Sequence, residues 1–245
     1  WLSFFMFTYF TDRDGKYQLG ALRESAFDPL SRTCDFMLKE EAHHMFVGAT
    51  GVGRVVQRTA QLMNEHDTDD VTALGGINLN TLQRYINFHY SVSLDLFGSE
   101  RSTNAANYYA AGLKGRFGED KYDDDHVLLS GEEQFLTVVD GAITAETLSA
   151  RALVNHELRN EYTIDCEKGV RRWNRTLAEQ GIDVELSLPH VGFNREVGAF
   201  RDAAVTPAGD LIGADEWTER RDEWLPSDDE RRHVGFGENR IGSLI

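Results

Sequence analysis

The sequence has little cysteine, and this scarcity excludes two classes of protein. Its 245 residues include only Cys34 and Cys166, and neither belongs to a CxxC or Cys/His spacing. A disulfide-stapled fold and a zinc finger are therefore not expected. Two isolated cysteines in helical patterns instead predict a reduced protein with a cytoplasmic location.

Positive charge is also scarce. The chain has 41 acidic and 25 basic residues and a net charge of −16, so a nucleic-acid partner, which requires a basic surface, is not expected. Five of the basic residues are lysines: Lys16, Lys39, Lys114, Lys121 and Lys168. An acidic, lysine-poor surface remains soluble in concentrated salt, where its self-repulsion is screened. We therefore predict a halophilic source.

Long hydrophobic runs are missing as well. The apolar stretch 1–10 is too short to cross a membrane, and no basic segment precedes it as in a signal peptide. We expect no membrane-spanning segment. Because the stretch begins at Trp1 without a helix cap, we expect it to be the middle of a helix whose start was removed, in a fragment of a longer protein.

What the chain does have is a series of helical patterns, with ample apolar content for a core. Asp28-Pro29 marks a helix start, and an apolar face continues at helical spacing over 28–63, with an expected bend or interruption at 48–53. Further helices are predicted over 78–96, 102–115 and 144–180.

Shorter signals complete the predicted architecture. Val138-Val139-Asp140-Gly141 predicts a hairpin or loop excursion, and three prolines interrupt the pattern after 183. We predict an all-α, ferritin-like helical bundle over 1–183, and an irregular C-terminal tail over 184–245 that wraps the bundle.

The sharpest local signal is Glu41-x-x-His44, in which a carboxylate and an imidazole share one helical face. Helix bundles that hold two iron ions use such an ExxH pair twice, with one further carboxylate from each of two other helices. Glu40 and His43 form an overlapping pair, so the motif alone leaves the register open. The helical pattern favours Glu41 and His44 as the inward pair. Glu40 and His43 would then lie at the surface or orient the metal ligands.

A third ligand can be sought by geometry. If the chain reverses just before Asp28, residues 11–14 lie level with 41–44, and Asp12 is the best-placed carboxylate. Asp14 and Glu24 are alternatives, and an exposed loop position for Asp12 is equally compatible with the sequence.

Candidates for a second ligand set lie further along the chain. They are Asp95 on the inward face of the 78–96 helix, and Asp123 and His126, which form a DxxH pair. His156 and Glu157 are alternatives, although His156, like His89, is more typical of a core histidine. The glycines of 48–53 follow a helix rather than a strand, which excludes a dinucleotide-binding loop. A bend or close helix packing explains them better.

The chain resembles a known family in stretches that cover nearly its whole length. The most specific stretch is 36–48, which contains Glu41-Ala42-His43-His44. The other stretches are 9–19, 24–33, 87–92, 94–98, 104–107, 112–117, 123–126, 172–174, 193–195, 205–209 and 222–226. In these it resembles the oxygenase components of benzoyl-CoA 2,3-epoxidases, whose chains are about twice this long.

The resemblance implies a ferritin-like protein with two Fe ions that uses O2 to epoxidise the ring of benzoyl-CoA. Electrons would come from a separate NADPH-dependent reductase that carries flavin and iron-sulfur clusters. Glu41 and His44 match the first ExxH of the family, and Asp95, Asp123 and His126 match its second set. Asp12 has no family match and is predicted from spacing.

Other readings of the same features remain open. The site could act on another acyl-CoA, such as phenylacetyl-CoA, or belong to a desaturase, or the chain could be a non-enzymatic iron-binding protein. By composition, the candidates for lining an apolar substrate pocket are Phe4, Phe5, Phe7, Phe10 and Phe36. The candidates for binding the CoA phosphates are Arg54 and Arg58.

Overall fold

A computed structural model describes residues 1–101, 107–108, 110–115 and 131–239, and for 150, 151 and 235–239 it describes the backbone alone. Within these ranges the chain is mostly helical. The helices are α1 (Leu2–Arg23), α2 (Asp28–His66), α3 (Leu79–Leu96), α4 (Val154–Glu179), α5 (Ala214–Trp224) and α6 (Asp228–Asn239). Short 3-10 turns lie at Thr72–Leu74 and Ala150–Leu153.

Helices α1 and α2 form an antiparallel hairpin. Pro29 in the first turn of α2 fixes the start predicted from the sequence, and α2 then continues for 39 residues. Helix α2 is not interrupted at 48–53, and its glycines there serve the close packing that the sequence offered as the alternative to a bend. A Cβ on Gly48 would lie 2.5 Å from the backbone nitrogen of Tyr9, and one on Gly51 would lie 2.3 Å from the Phe5 ring.

The core lies between α1, α2, α3 and α4 and is rich in tyrosine. The Tyr90 and Tyr162 rings stack at 6.0 Å, and the Tyr9 hydroxyl donates a hydrogen bond to the carbonyl of Cys166 at 3.0 Å. Gly169 of α4 makes room for the Tyr9 ring, since a Cβ there would overlap it. Both cysteines are free and buried.

Residues 144–149 are strand rather than helix, so the all-α prediction is wrong in this region. Strand β1 (Glu132–Val139) pairs with β2 (Ala142–Ser149) through a tight turn at Asp140 and Gly141, both of which have positive φ. The β-branched residues Ile143, Thr144 and Thr147 favour a strand. The predicted hairpin is confirmed, and α4 begins ten residues later than expected.

The segment after 183 is less irregular than predicted. It contains α5, α6 and a two-residue ladder between β3 (Ala204–Val205) and β4 (Leu211–Ile212). It does lie against the helices, because the Asn174 side chain bonds both backbone groups of Leu186 and the Gln83 side chain bonds both of Ser187. None of the helices in the described ranges is both long and apolar enough to cross a membrane.

Candidate metal centre

Three side chains from α1 and α2 converge into a small cluster. Asp12, Glu41 and His44 each offer one ligand atom, and these atoms all lie within 4.8 Å of one another. His44 Nδ1 is 3.5 Å from Asp12 Oδ2 and 3.8 Å from Glu41 Oε2. The antiparallel hairpin places residue 12 level with residue 44, as the chain reversal before Asp28 predicts.

The structure also shows which ExxH register faces α1. The side chains of Asp12 and Glu41 are only 15% and 19% exposed, whereas that of His44 is 46% exposed. Glu40 and His43 are both exposed and lie outside the cluster. The arrangement therefore brings together Glu41 and His44, with His44 at the open side of the cluster.

The two carboxylates of the cluster are held in an environment that disfavours their charge. Burial raises the pKa of Glu41, and Asp12 raises it further while His44 opposes the shift. Burial likewise raises the pKa of Asp12, again against His44. Within the described residues, the buried Oε2 of Glu41 has no hydrogen-bond partner. Such a carboxylate oxygen is costly to bury unless a cation compensates it.

A third carboxylate, Asp14, adjoins the cluster without belonging to it. Burial raises its pKa to about 7, Gln18 and Lys114 oppose the shift, and Glu41 adds to it. Its Oδ1 is also buried with no hydrogen-bond partner among the described residues. The other alternative, Glu24, lies at the end of α1 in an ion pair with Arg23 and is not part of the cluster.

Gly15 keeps space open beside Glu41. A Cβ on this glycine would lie 3.4 Å from the carboxyl carbon of Glu41 and from one of its oxygens. It follows Asp12 by three residues and therefore shares its helical face. We did not single out Gly15 or the burial of Asp14 from the sequence, although a small residue at this spacing is a signal for close approach.

Asp95, which we predicted as a ligand, lies elsewhere in a network of its own. Its Oδ1 accepts a bond from Arg195 Nε at 2.5 Å, and its Oδ2 accepts one from the amide of Glu196 at 2.9 Å. Arg195 also lies 3.9 Å from Glu100, which pairs with Arg159 at 2.5 Å. Both oxygens of Asp95 are thus bonded to these donors, and Asp95 lies outside the cluster of Asp12, Glu41 and His44.

The remaining candidates are not brought to the cluster by the described structure. Asp123 and His126 lie outside the described residues. His89 packs against Tyr85 in the core, and burial lowers its pKa to about 4. Burial also lowers the pKa of His156, whereas burial and a hydrogen bond to Glu133 raise that of Glu157 to about 7.

The aromatic residues suggested for a substrate pocket do not share one environment. Phe10 is fully buried in the core and Phe5 packs against it, while Phe4, Phe7 and Phe36 are 48%, 49% and 69% exposed. Arg54 and Arg58 are exposed on α2. The described residues therefore do not assemble the predicted pocket from these side chains.

The donor set of the cluster fits a metal ion such as iron. Two carboxylates and one imidazole are ligands that iron accepts. The orphaned oxygens of Glu41 and Asp14 mark a place where positive charge is missing. The helix pair can thus hold one cation by three side chains and leave its remaining positions for other ligands.

Comparison with known proteins gives this geometry a context. No family model matches the chain. Over 237 residues, or 96% of its length, it is 52% identical to the benzoyl-CoA oxygenase component B of Aromatoleum evansii. The matched region is 50% of that protein, so the chain spans about half the length of this relative. The resemblance noted in the sequence is confirmed, and the chain is a relative of benzoyl-CoA oxygenase component B.

Proposed function

We propose that this chain contributes the metal-binding hairpin of an oxygenase component that uses O2 to epoxidise the ring of benzoyl-CoA. The observation that carries the proposal is the meeting of Asp12 from α1 with Glu41 and His44 from α2, within 4.8 Å. The substrate is inferred from the name of the 52% identical relative, a benzoyl-CoA oxygenase component.

The cluster is half of the ligand set that a ferritin-like di-iron centre requires. Such a centre takes one carboxylate and one ExxH pair from each of two helix pairs. Within the described residues, α1 and α2 supply one such set. We propose that the second set lies outside the described ranges, where Asp123 and His126 remain candidates. Asp95 is bonded to Arg195 and lies outside the cluster of Asp12, Glu41 and His44.

The residues of this chain have defined tasks in such a centre. When bound, the two iron ions would supply the electrons that activate O2. Asp12 and Glu41 would compensate the positive charge of the metal, and the His44 imidazole would add a nitrogen ligand at the exposed side of the cluster. Gly15 leaves Glu41 room to change its position when the charge of the site changes.

Electrons would reach the site from a separate protein. The relative is named component B, which implies a system of more than one component. We propose that the partner is an NADPH-dependent reductase that carries flavin and iron-sulfur clusters, as the resemblance implies.

The proposal is tested by removing ligands one at a time in the full-length protein. Glu41→Ala and His44→Ala should each lose most of the bound iron and the O2-dependent epoxidation of benzoyl-CoA, because a ligand and its charge balance are lost together. His43→Ala is the matched control, because its side chain points about 100° away around the helix. Iron content is measured by elemental analysis. Turnover is measured with benzoyl-CoA and with phenylacetyl-CoA as substrates.

Each alternative has its own outcome. Damage by His43→Ala with little effect of His44→Ala would assign the ligands to the Glu40 and His43 register. Unchanged iron content in both ligand variants would refute the metal proposal. If the protein binds iron but turns over phenylacetyl-CoA faster than benzoyl-CoA, the proposed metal centre stands and the proposed substrate is wrong.

A further inference from the structure

Four basic side chains form a stripe on α4, on a chain that is otherwise strongly acidic. Lys168, Arg171, Arg172 and Arg175 are spaced i, i+3, i+4 and i+7, so they share one helical face, and all four are exposed. Trp173 faces the opposite way and is 3% exposed. We call these four residues the basic stripe.

Local helix energetics do not account for the basic stripe. Cations stabilise the negative end of a helix dipole, but this effect is confined to the last turn, and the last turn of α4 contains no basic residue. Ion pairs explain only part of it, since Arg171 pairs with Glu167 at 3.3 Å and Lys168 reaches Asp165 at 3.6 Å. Arg172 and Arg175 form no ion pair with any described residue.

The position of the stripe connects it to the candidate metal centre. Beneath the stripe, Trp173 contacts the Tyr9 ring at 4.7 Å between centroids. Tyr9 precedes Asp12 by three residues on α1, which is about 4.5 Å along the helix axis. Ile164, 53% exposed, lies one turn before Lys168 and extends the exposed face with an apolar side chain.

We propose that the basic stripe is the docking surface for an acidic face of the electron-donating component. This inference rests on the proposed function, because it names the partner of the same centre. A charged, convex helix face suits a protein encounter steered by complementary charge, whereas small ligands bind in concave sites. Electron-transfer partners commonly use such small, transient interfaces.

The test reverses charge on the stripe and at a matched surface site. Arg172→Glu with Arg175→Glu, made in the full-length protein, should raise the Kd for the purified reductase component at least about tenfold in low salt. The difference should shrink as salt is added. Arg201→Glu with Arg221→Glu is the control of equal charge, since both side chains are exposed and neither belongs to α4. Both double variants should keep the iron content of the wild type.

The outcomes separate this inference from the proposed function. An unchanged Kd in the stripe variant, or an equal loss in the control, would overturn the docking surface. So would an unchanged Kd for the reductase combined with weaker binding of free CoA, which would assign the stripe to the CoA phosphates. Iron content is measured independently, so a wild type that holds iron but does not bind the reductase refutes the docking proposal alone.

Discussion

Two groups of buried carboxylates in this molecule meet opposite electrostatic conditions. At the first, Asp12, Asp14 and Glu41 lie together between α1 and α2, and burial raises the pKa of each. At the second, Asp95 and Glu100 are neutralised by two arginines, Arg195 and Arg159, whose side chains are 0% and 4% exposed.

The difference shows what marks a candidate metal site in this fold. Although burial opposes ionisation, Arg159 and backbone amides hold the pKa of Glu100 below its usual value. In the first group, His44, Gln18 and Lys114 oppose the rise in pKa without overcoming it, and two of the carboxylate oxygens form no hydrogen bond among the described residues. Arginines compensate the carboxylates of the second group, whereas Asp12 and Glu41 of the first group form, with His44, a set of side chains that could hold a cation.

The largest effect should come from breaking the compensated group. Arg195→Met leaves Asp95 and Glu100 without one of their cations, and it should cost about 3–5 kcal/mol of unfolding free energy. Denaturant unfolding of the metal-free protein measures this cost. A loss below about 1 kcal/mol would mean that the network contributes little and that the contrast between the two groups is weaker than the contacts indicate.

Asp14, in the first group, should make the stability of the metal-free protein depend on pH. The pKa of Asp14 is about 7 in the folded state, above its ordinary value of 3.8, so its protonation favours the folded state at low pH. In the metal-free protein this contribution should be lost as pH rises from about 4 through 7, by roughly 1–3 kcal/mol. Asp14→Asn should remove this dependence.

Metal provides the control for this prediction. Iron should suppress the loss of stability towards pH 8, because a bound cation favours the ionised carboxylates of Asp12 and Glu41. Unfolding curves at pH 5 and pH 8, with and without iron, measure both effects. A metal-free protein whose stability rises over this range would contradict the assignment of Asp14 as an uncompensated carboxyl.

Alanine substitutions at Gly15 and Gly198 should have smaller effects, and they test how tightly the residues around Glu41 and around Glu100 are packed. Gly15→Ala meets Glu41 at an ordinary contact of 3.4 Å and should stabilise α1 in the metal-free protein by about 0.5–1 kcal/mol. Gly198→Ala should instead destabilise by about 1 kcal/mol or more, because Gly198 has φ +90° and its Cβ would lie 2.3 Å from Glu100 Oε2. Equal effects of the two substitutions would show that the groups are packed alike.

Much of the helical architecture could be predicted from local pattern. Asp28-Pro29 fixed the start of α2, and the positive φ of Gly98 follows the end of α3 where the sequence placed a stop. The prediction from this pattern was wrong at 144–149, where strand residues were assigned to the helix that follows them. It left two explanations open at Gly48 and Gly51, because a glycine that bends a helix and one that admits a neighbour look the same in one sequence.

The candidate site was predictable where it depends on neighbours in sequence, and not where it depends on distant ones. Glu41 and His44 share a helix, and Asp12 follows from the reversal before Asp28, so the geometry brings all three together. The contact between Asp95 and Arg195 could not be predicted, because the two residues are 100 positions apart. Helical periodicity predicts that a carboxylate faces inward, but it does not predict which cation compensates its charge.

The smallest expected effect concerns the surface rather than either buried group. The net charge of −16 means that exposed carboxylates repel one another, and salt screens this repulsion over about 10 Å at 0.1 M. Lowering the ionic strength should therefore lower the Tm, with each kcal/mol of lost stability appearing as about 2–4 °C. The Arg195→Met variant should show the same salt dependence as the wild type, because its lost contact is buried and little screened. A Tm that stays constant or rises as salt is removed would count against a surface adapted to salt. A salt dependence that changes in Arg195→Met would show that the buried network and the surface charges are not independent.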